Sequence, residues 1–165
     1  MAKTSAGLLM YRVREGELQV LLVHPGGPFW KNKDHGAWMI PKGEVTEEED
    51  LLEAAKREFR EETGFGAEGT FVPLGSVKHR SGKVVHAWAF EGDLDPNAIR
   101  SNVFKMEWPP KSGQQREFPE IDKAAFFSIE EAPRMMLPSE VPLLHTLRRV
   151  CREDAGRSGA KGRAD

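Results

Sequence analysis

A chain of 165 residues, 39% hydrophobic and 30% charged, has the size and balance of one globular domain with a core of its own. Its net charge of -2, from 24 basic and 26 acidic residues, provides no basic stripe for nucleic acid, and a single cysteine, Cys151, excludes an intrachain disulfide. The apolar runs Gly7 to Tyr11 and Leu18 to Val23 are far below the roughly 20 residues that cross a bilayer, and no N-terminal stretch is apolar enough for a signal peptide. The expectation is a cytoplasmic protein that engages neither membrane nor nucleic acid.

In chain order, Ser5 to Val13 and Leu18 to His24 flank Arg14, Glu15, Gly16 and Glu17, which predicts a hairpin. Glycines and prolines between Pro25 and Gly36 predict a long loop around Phe29 and Trp30. Trp38, Met39 and Ile40 read as a short strand stopped by Pro41. Thr46 and Glu49 have the spacing of a capping box, and the acidic residues that follow suit a helix N-terminus, so a helix is expected over 47–63 with Gly64 as its stop. Phe71 to Lys78 and Val84 to Gly92 predict two further strands, with Val103 to Trp108 and Ala124 to Ser128 as weaker ones around a polar loop. Ser128 with Glu131 suggests a capped helix, and Val141, Leu144, Leu147 and Val150 recur at helical spacing over 140–152. Residues 1–152 are expected to form a single domain, and the small, polar segment 153–165 a disordered tail. By itself the pattern gives a mixed α/β chain.

On a helical wheel Leu51, Leu52, Ala55 and Phe59 form an apolar arc that includes Glu62, with Glu58 at its edge and Glu61 one step further round. Three carboxylates turned toward the protein body oppose one another's ionisation unless a cation or several donors compensate. All-oxygen ligands favour magnesium, with manganese or calcium as alternatives. The competing reading is a solvated acidic helix face.

The flanking residues decide between the two. Gly43 to Phe65, GEVTEEEDLLEAAKREFREETGF, resembles the signature of the Nudix hydrolases: glycine, five residues, glutamate, seven residues, then Arg-Glu-apolar-x-Glu-Glu-x-Gly-apolar. Every fixed position is filled, a coincidence expected on the order of once in a billion starts. The resemblance implies a Nudix-type α/β/α sandwich with a central mixed β-sheet. It also implies that Glu58, Glu61 and Glu62 are metal ligands, that Gly43 or the Lys42 carbonyl helps hold the metal, and that Arg57 orients the carboxylates. Glu49 is read as structural before ligating.

The implied chemistry is metal-assisted attack of water on a phosphoanhydride of a nucleoside diphosphate-linked substrate. Glu58, Glu62 or a later-loop carboxylate would take the proton, with Glu120 preferred and Glu117 as alternative. Ala37 to Gly43, AWMIPKG, is similar to the Trp-x-x-Pro-Lys-Gly stretch of enzymes that cut dinucleoside polyphosphates or nucleoside triphosphates. Lys42 is therefore a candidate phosphate contact, Trp38 (with Phe29 and Trp30) a candidate base-stacking surface, and Arg80, beside Lys78, His79 and Lys83, a candidate for a long phosphate chain. The rival reading is a catalytically silent Nudix-like module that senses a nucleotide. The sequence has no reading for oligomeric state or for the role of residues 92–118.

Overall fold

The computed structural model describes residues 3–164, with side chains described over 3–152. The expected 153–165 tail lies beyond the described side chains.

Strand β1 (Thr4–Arg14) alternates across the sheet: Ala6, Leu8 and Met10 enter one apolar cluster, and Leu9 and Tyr11 the other. It turns into β2 (Glu17–Pro25) through Glu15 and Gly16, which both have positive φ, the twist that two-residue hairpins demand. The hairpin pairs from Arg14↔Glu17 to Tyr11↔Val20, after which the strands separate.

Residues 38–44 fill that split. Met39 exchanges backbone hydrogen bonds of 2.9 and 3.0 Å with Val23 of β2, and β3 (Lys42–Glu44) then pairs with Gly7 to Ser5 of β1. The strand expected at 38–40 is therefore only a pair of isolated bridges, and the true strand begins after Pro41. Proline has no N–H to donate, but its carbonyl accepts from the Leu8 N–H at 3.1 Å, so the chain crosses there from one neighbour to the other. Gly7 allows the crossing, because a Cβ there would lie 2.6 Å from the Pro41 oxygen.

The hairpin β4 (Val72–Lys78) and β5 (Val84–Glu91) extends the sheet through β5, which runs parallel to β1, and β8 (Ile121–Ser128) closes the other edge against β2. The order β4-β5-β1-β2-β8, with β3 also paired to β1, is a mixed sheet. Helix α1 (Leu51–Thr63) covers one face through Ala54, Ala55 and Phe59. Helix α3 (Val141–Ala164) covers the other through Leu143, Leu144 and Leu147, preceded by the short α2 (Ala132–Met135). The sandwich implied by the resemblance is the sandwich observed. Outside it stands a two-stranded hairpin, β6 (Val103–Glu107) and β7 (Gln115–Pro119), whose second strand falls within the expected polar loop. Among the described residues no helix is long and apolar enough to cross a membrane.

Candidate active site

Helix α1 starts four residues later than its acidic run suggests. Glu49 does reach back to the Thr46 N–H and hydroxyl, each at 3.3 Å, but that exchange closes a turn ahead of the helix. Asp50 is the N-cap, accepting from the Glu53 N–H at 3.1 Å, and Gly64 ends the helix at φ 82° with its N–H on the Arg60 carbonyl. These limits set the wheel. The face that packs Phe59 into the core also carries Glu58 and Glu62, which are 8% and 3% exposed, while Glu61 stays at the rim.

Arg57 ties the carboxylates together. Its Nε and Nη2 donate to Glu49 at 2.8 and 3.0 Å, and its Nη1 donates to Glu58 at 2.8 Å and to both oxygens of Glu61 at 3.1 and 3.2 Å. This bidentate hold brings Glu49 down to about 2, and the surrounding carboxylates raise Arg57.

Glu62 has the opposite environment. Burial pushes its carboxyl up to about 8, the Lys42 charge opposes the shift, and Glu58 and Glu120 add to it. Its Oε1 is buried with no hydrogen-bond partner. Glu58 is raised by burial and then by Glu61, and Glu120 by burial and then by Glu61. Gly43 closes the corner, because a Cβ there would overlap the Glu58 carboxylate. As they stand, no three His, Cys, Asp or Glu side chains among the described residues converge on one point, for Arg57 Nη1 lies between Glu58 and Glu61. The unpartnered oxygen, the bare backbone of Gly43 and the all-oxygen donor set nevertheless fit a hard divalent cation.

Glu120 is fixed to this corner by its backbone: its N–H donates to Asn102 at 2.9 Å, and its carbonyl accepts from Gly26 at 2.8 Å. With its amide oriented to satisfy both neighbours, the Asn102 side chain donates to the Glu61 carbonyl at 3.3 Å and to Glu120 Oε2 at 3.2 Å. Sequence reasoning missed Asn102; no motif marks it. Glu117, the alternative base, lies instead on the exposed hairpin, 3.9 Å from Lys105.

The other expected contacts fall elsewhere. Trp38 is 5% exposed, donates from Nε1 to Asp34 at 2.8 Å and packs edge-on against His24 and Phe127, so no face is left for a base. The Lys42 ammonium is buried 2.8 Å from Glu140 rather than offered to a phosphate. Arg80 sits exposed between β4 and β5, beside a hollow lined by Leu137 and Pro138, and forms no ion pair among the described residues. Among the described residues the exposed aromatic is Phe29, 60% accessible, set edge-to-face at 5.4 Å on Trp108 of the β6–β7 connection.

A family model for the NUDIX domain matches residues 1–147. The chain belongs to the Nudix family. Two strains of Caulobacter vibrioides have an RNA pyrophosphohydrolase that is 46% identical to this Nudix chain over 50 residues, a match to 27% of this chain and 29% of that protein. The match thus spans less than a third of those curated relatives. Among solved structures, an Ap4A hydrolase binary complex from C. elegans superposes with a TM-score of 0.65 at 21% identity, covering 92% of this chain and 99% of that one. The NUDIX domain of Shewanella oneidensis NrtR, complexed with ADP ribose, gives 0.65 at 16% identity, covering 92% and 89%. At these identities the likeness is one of fold.

Proposed function

We propose that this Nudix protein is a magnesium-dependent pyrophosphohydrolase that cleaves a phosphoanhydride bond in a nucleoside diphosphate-linked substrate, with dinucleoside polyphosphates and nucleoside triphosphates as the first candidates. The observation that carries the reading is the buried, unpartnered Glu62 oxygen in a corner shared with Glu58, Glu120 and Gly43. The similar proteins, an Ap4A hydrolase, an RNA pyrophosphohydrolase and a NUDIX domain complexed with ADP ribose, support a substrate with linked phosphates.

Glu58, Glu61 and Glu62, with the Gly43 carbonyl, would hold the cation. Magnesium, or manganese, bound there would neutralise charge on phosphate oxygens and acidify water. Arg57 keeps Glu58 and Glu61 turned to one side of the helix and is itself held by Glu49. Glu120 takes the proton of the attacking water, since burial and the nearby Glu61 raise its proton affinity above that of a free carboxylate. Asn102 aims it. Phe29 and Trp108 offer a rim for a base, connected to Glu120 through the Gly26 hydrogen bond.

The test is hydrolysis of a panel of nucleoside triphosphates, dinucleoside polyphosphates, nucleotide sugars and diphosphoinositol phosphates with magnesium, comparing wild type with Glu62→Gln. The expected result is metal-dependent turnover that falls by at least about a hundredfold in the variant. Nucleotide binding without turnover of any compound would make the chain a nucleotide sensor instead.

A further inference from the structure

Glu140 is fully buried, at 0% exposure, where the 3₁₀ turn Pro138–Glu140 enters α3. Two of its side-chain contacts lead into the segment that ends at the carboxylate corner, and the third holds His79 at the β4–β5 turn. Its Oε1 accepts from the Ile40 backbone N–H at 3.0 Å, and its Oε2 accepts from Lys42 Nζ at 2.8 Å and faces His79 Nε2 at 3.1 Å. Lys42 is itself buried, and its other polar neighbour is the Met39 sulfur at 3.2 Å.

The same ammonium has a second acid within electrostatic reach. Its charge is the strongest favourable influence on Glu62, yet Glu62 Oε1 has no hydrogen-bond partner and no ion pair joins the two. A buried ammonium without a counter-ion is strongly unfavourable, so Lys42 must pair with whichever carboxylate can reach it. The segment 40–42 that Glu140 grips leads directly into Gly43, the residue against which Glu58 rests.

We infer that Glu140 is a positioning residue that draws the Lys42 ammonium away from Glu62 and so leaves that carboxylate free to ligate a divalent cation. The inference rests on the metal-binding part of the proposed function. Without the Glu140 charge, Lys42 turns to Glu62, and the resulting internal ion pair competes with the cation for the same oxygen. A purely structural Glu140 would affect stability while leaving the metal affinity of the folded protein unchanged.

The test is manganese binding to the full-length, nucleotide-free protein, read from the free-ion paramagnetic signal, with thermal unfolding run alongside to establish that each variant is folded. In Glu140→Gln the dissociation constant should rise at least about tenfold, the range seen when a residue supporting metal ligands is lost. Adding Lys42→Met in that background should return it to within about threefold of wild type, because the competitor is gone. Unchanged affinity in folded Glu140→Gln, or no recovery in the double variant, overturns the inference. Should Glu140→Gln not fold, Lys42→Met alone decides: affinity at or above wild type supports the inference, and weaker binding overturns it. A wild-type protein that binds no manganese would overturn the metal reading as well, whereas wild-type binding with unaltered variants removes only the role of Glu140.

Discussion

Glu62 titrates at about 8 in the folded, metal-free protein and near 4.5 in an ordinary solvated setting. Between those values the folded state binds the extra proton. Stability from this group is therefore full below about pH 4.5, falls as pH rises toward 8, and is level beyond, a change of a few kcal/mol at most. Thermal midpoints of the chelated protein across this window should decline in wild type and flatten in Glu62→Gln, and an equal slope in both would refute the assignment. Gly43 offers a second check at this scale. In Gly43→Ala the new methyl displaces the flexible end of Glu58 rather than backbone, so the fold should survive with a melting change of a few degrees while turnover drops roughly ten- to a hundredfold. Of the candidate residues, the inward placement of Glu58 and Glu62 could be read from periodicity, since a wheel needs only local spacing, while their reading as ligands came from the signature around them. Lys42 and Trp38 could not. Their side chains are claimed by Glu140, His24 and Phe127, partners brought close only by tertiary structure.

Helix α1 has two successive capping patterns, Thr46 to Glu49 and Asp50 to Glu53, and the second one starts it. The first is used to build the turn that presents Glu49 to Arg57, which is why an expectation based on the earlier box places the N-terminus too soon. Strand β7 was illegible for another reason. Its sequence QREFP has one large apolar residue, Phe118, which meets Phe104 across the hairpin at 6.0 Å, and the remaining residues face solvent, so no alternation marks a buried face. The hairpin bears on function through Trp108 and Phe29. If that rim holds a base, Phe29→Ala should raise KM for nucleotides roughly five- to a hundredfold with kcat nearly unchanged, in line with the loss of one stacking ring. An unchanged KM across the substrate panel would remove the rim from the binding site.

For the molecule as a whole, the two apolar clusters on either face of the sheet imply an uneven distribution of stability. Amides of β1, β2 and β5 should be the slowest to exchange with solvent, and those of β6 and β7 should exchange orders of magnitude faster, because that hairpin pairs only with itself. Hydrogen exchange followed by peptide mass analysis checks this, and uniform protection would count against it. The mixture of strands and helices was legible from alternation and helical spacing because both are repeated local signals, whereas the layered sandwich followed only from the likeness of Gly43 to Phe65 to the Nudix signature. The split between β1 and β2 was not legible, since nothing in either strand announces that a third segment will wedge between them.

The parallel pairing of β1 with β5 also matters for synthesis. A ribosome releases β1 and β2 long before Val84 to Glu91 exist, so the edge of Thr4 to Tyr11 that β5 will occupy stays open while more than seventy further residues are made. That edge includes the run Gly7-Leu8-Leu9-Met10-Tyr11, an invitation to pair with another nascent chain. Fragments that stop short of β5 should therefore collect in inclusion bodies, and those that extend through Glu91 should be markedly less prone to do so.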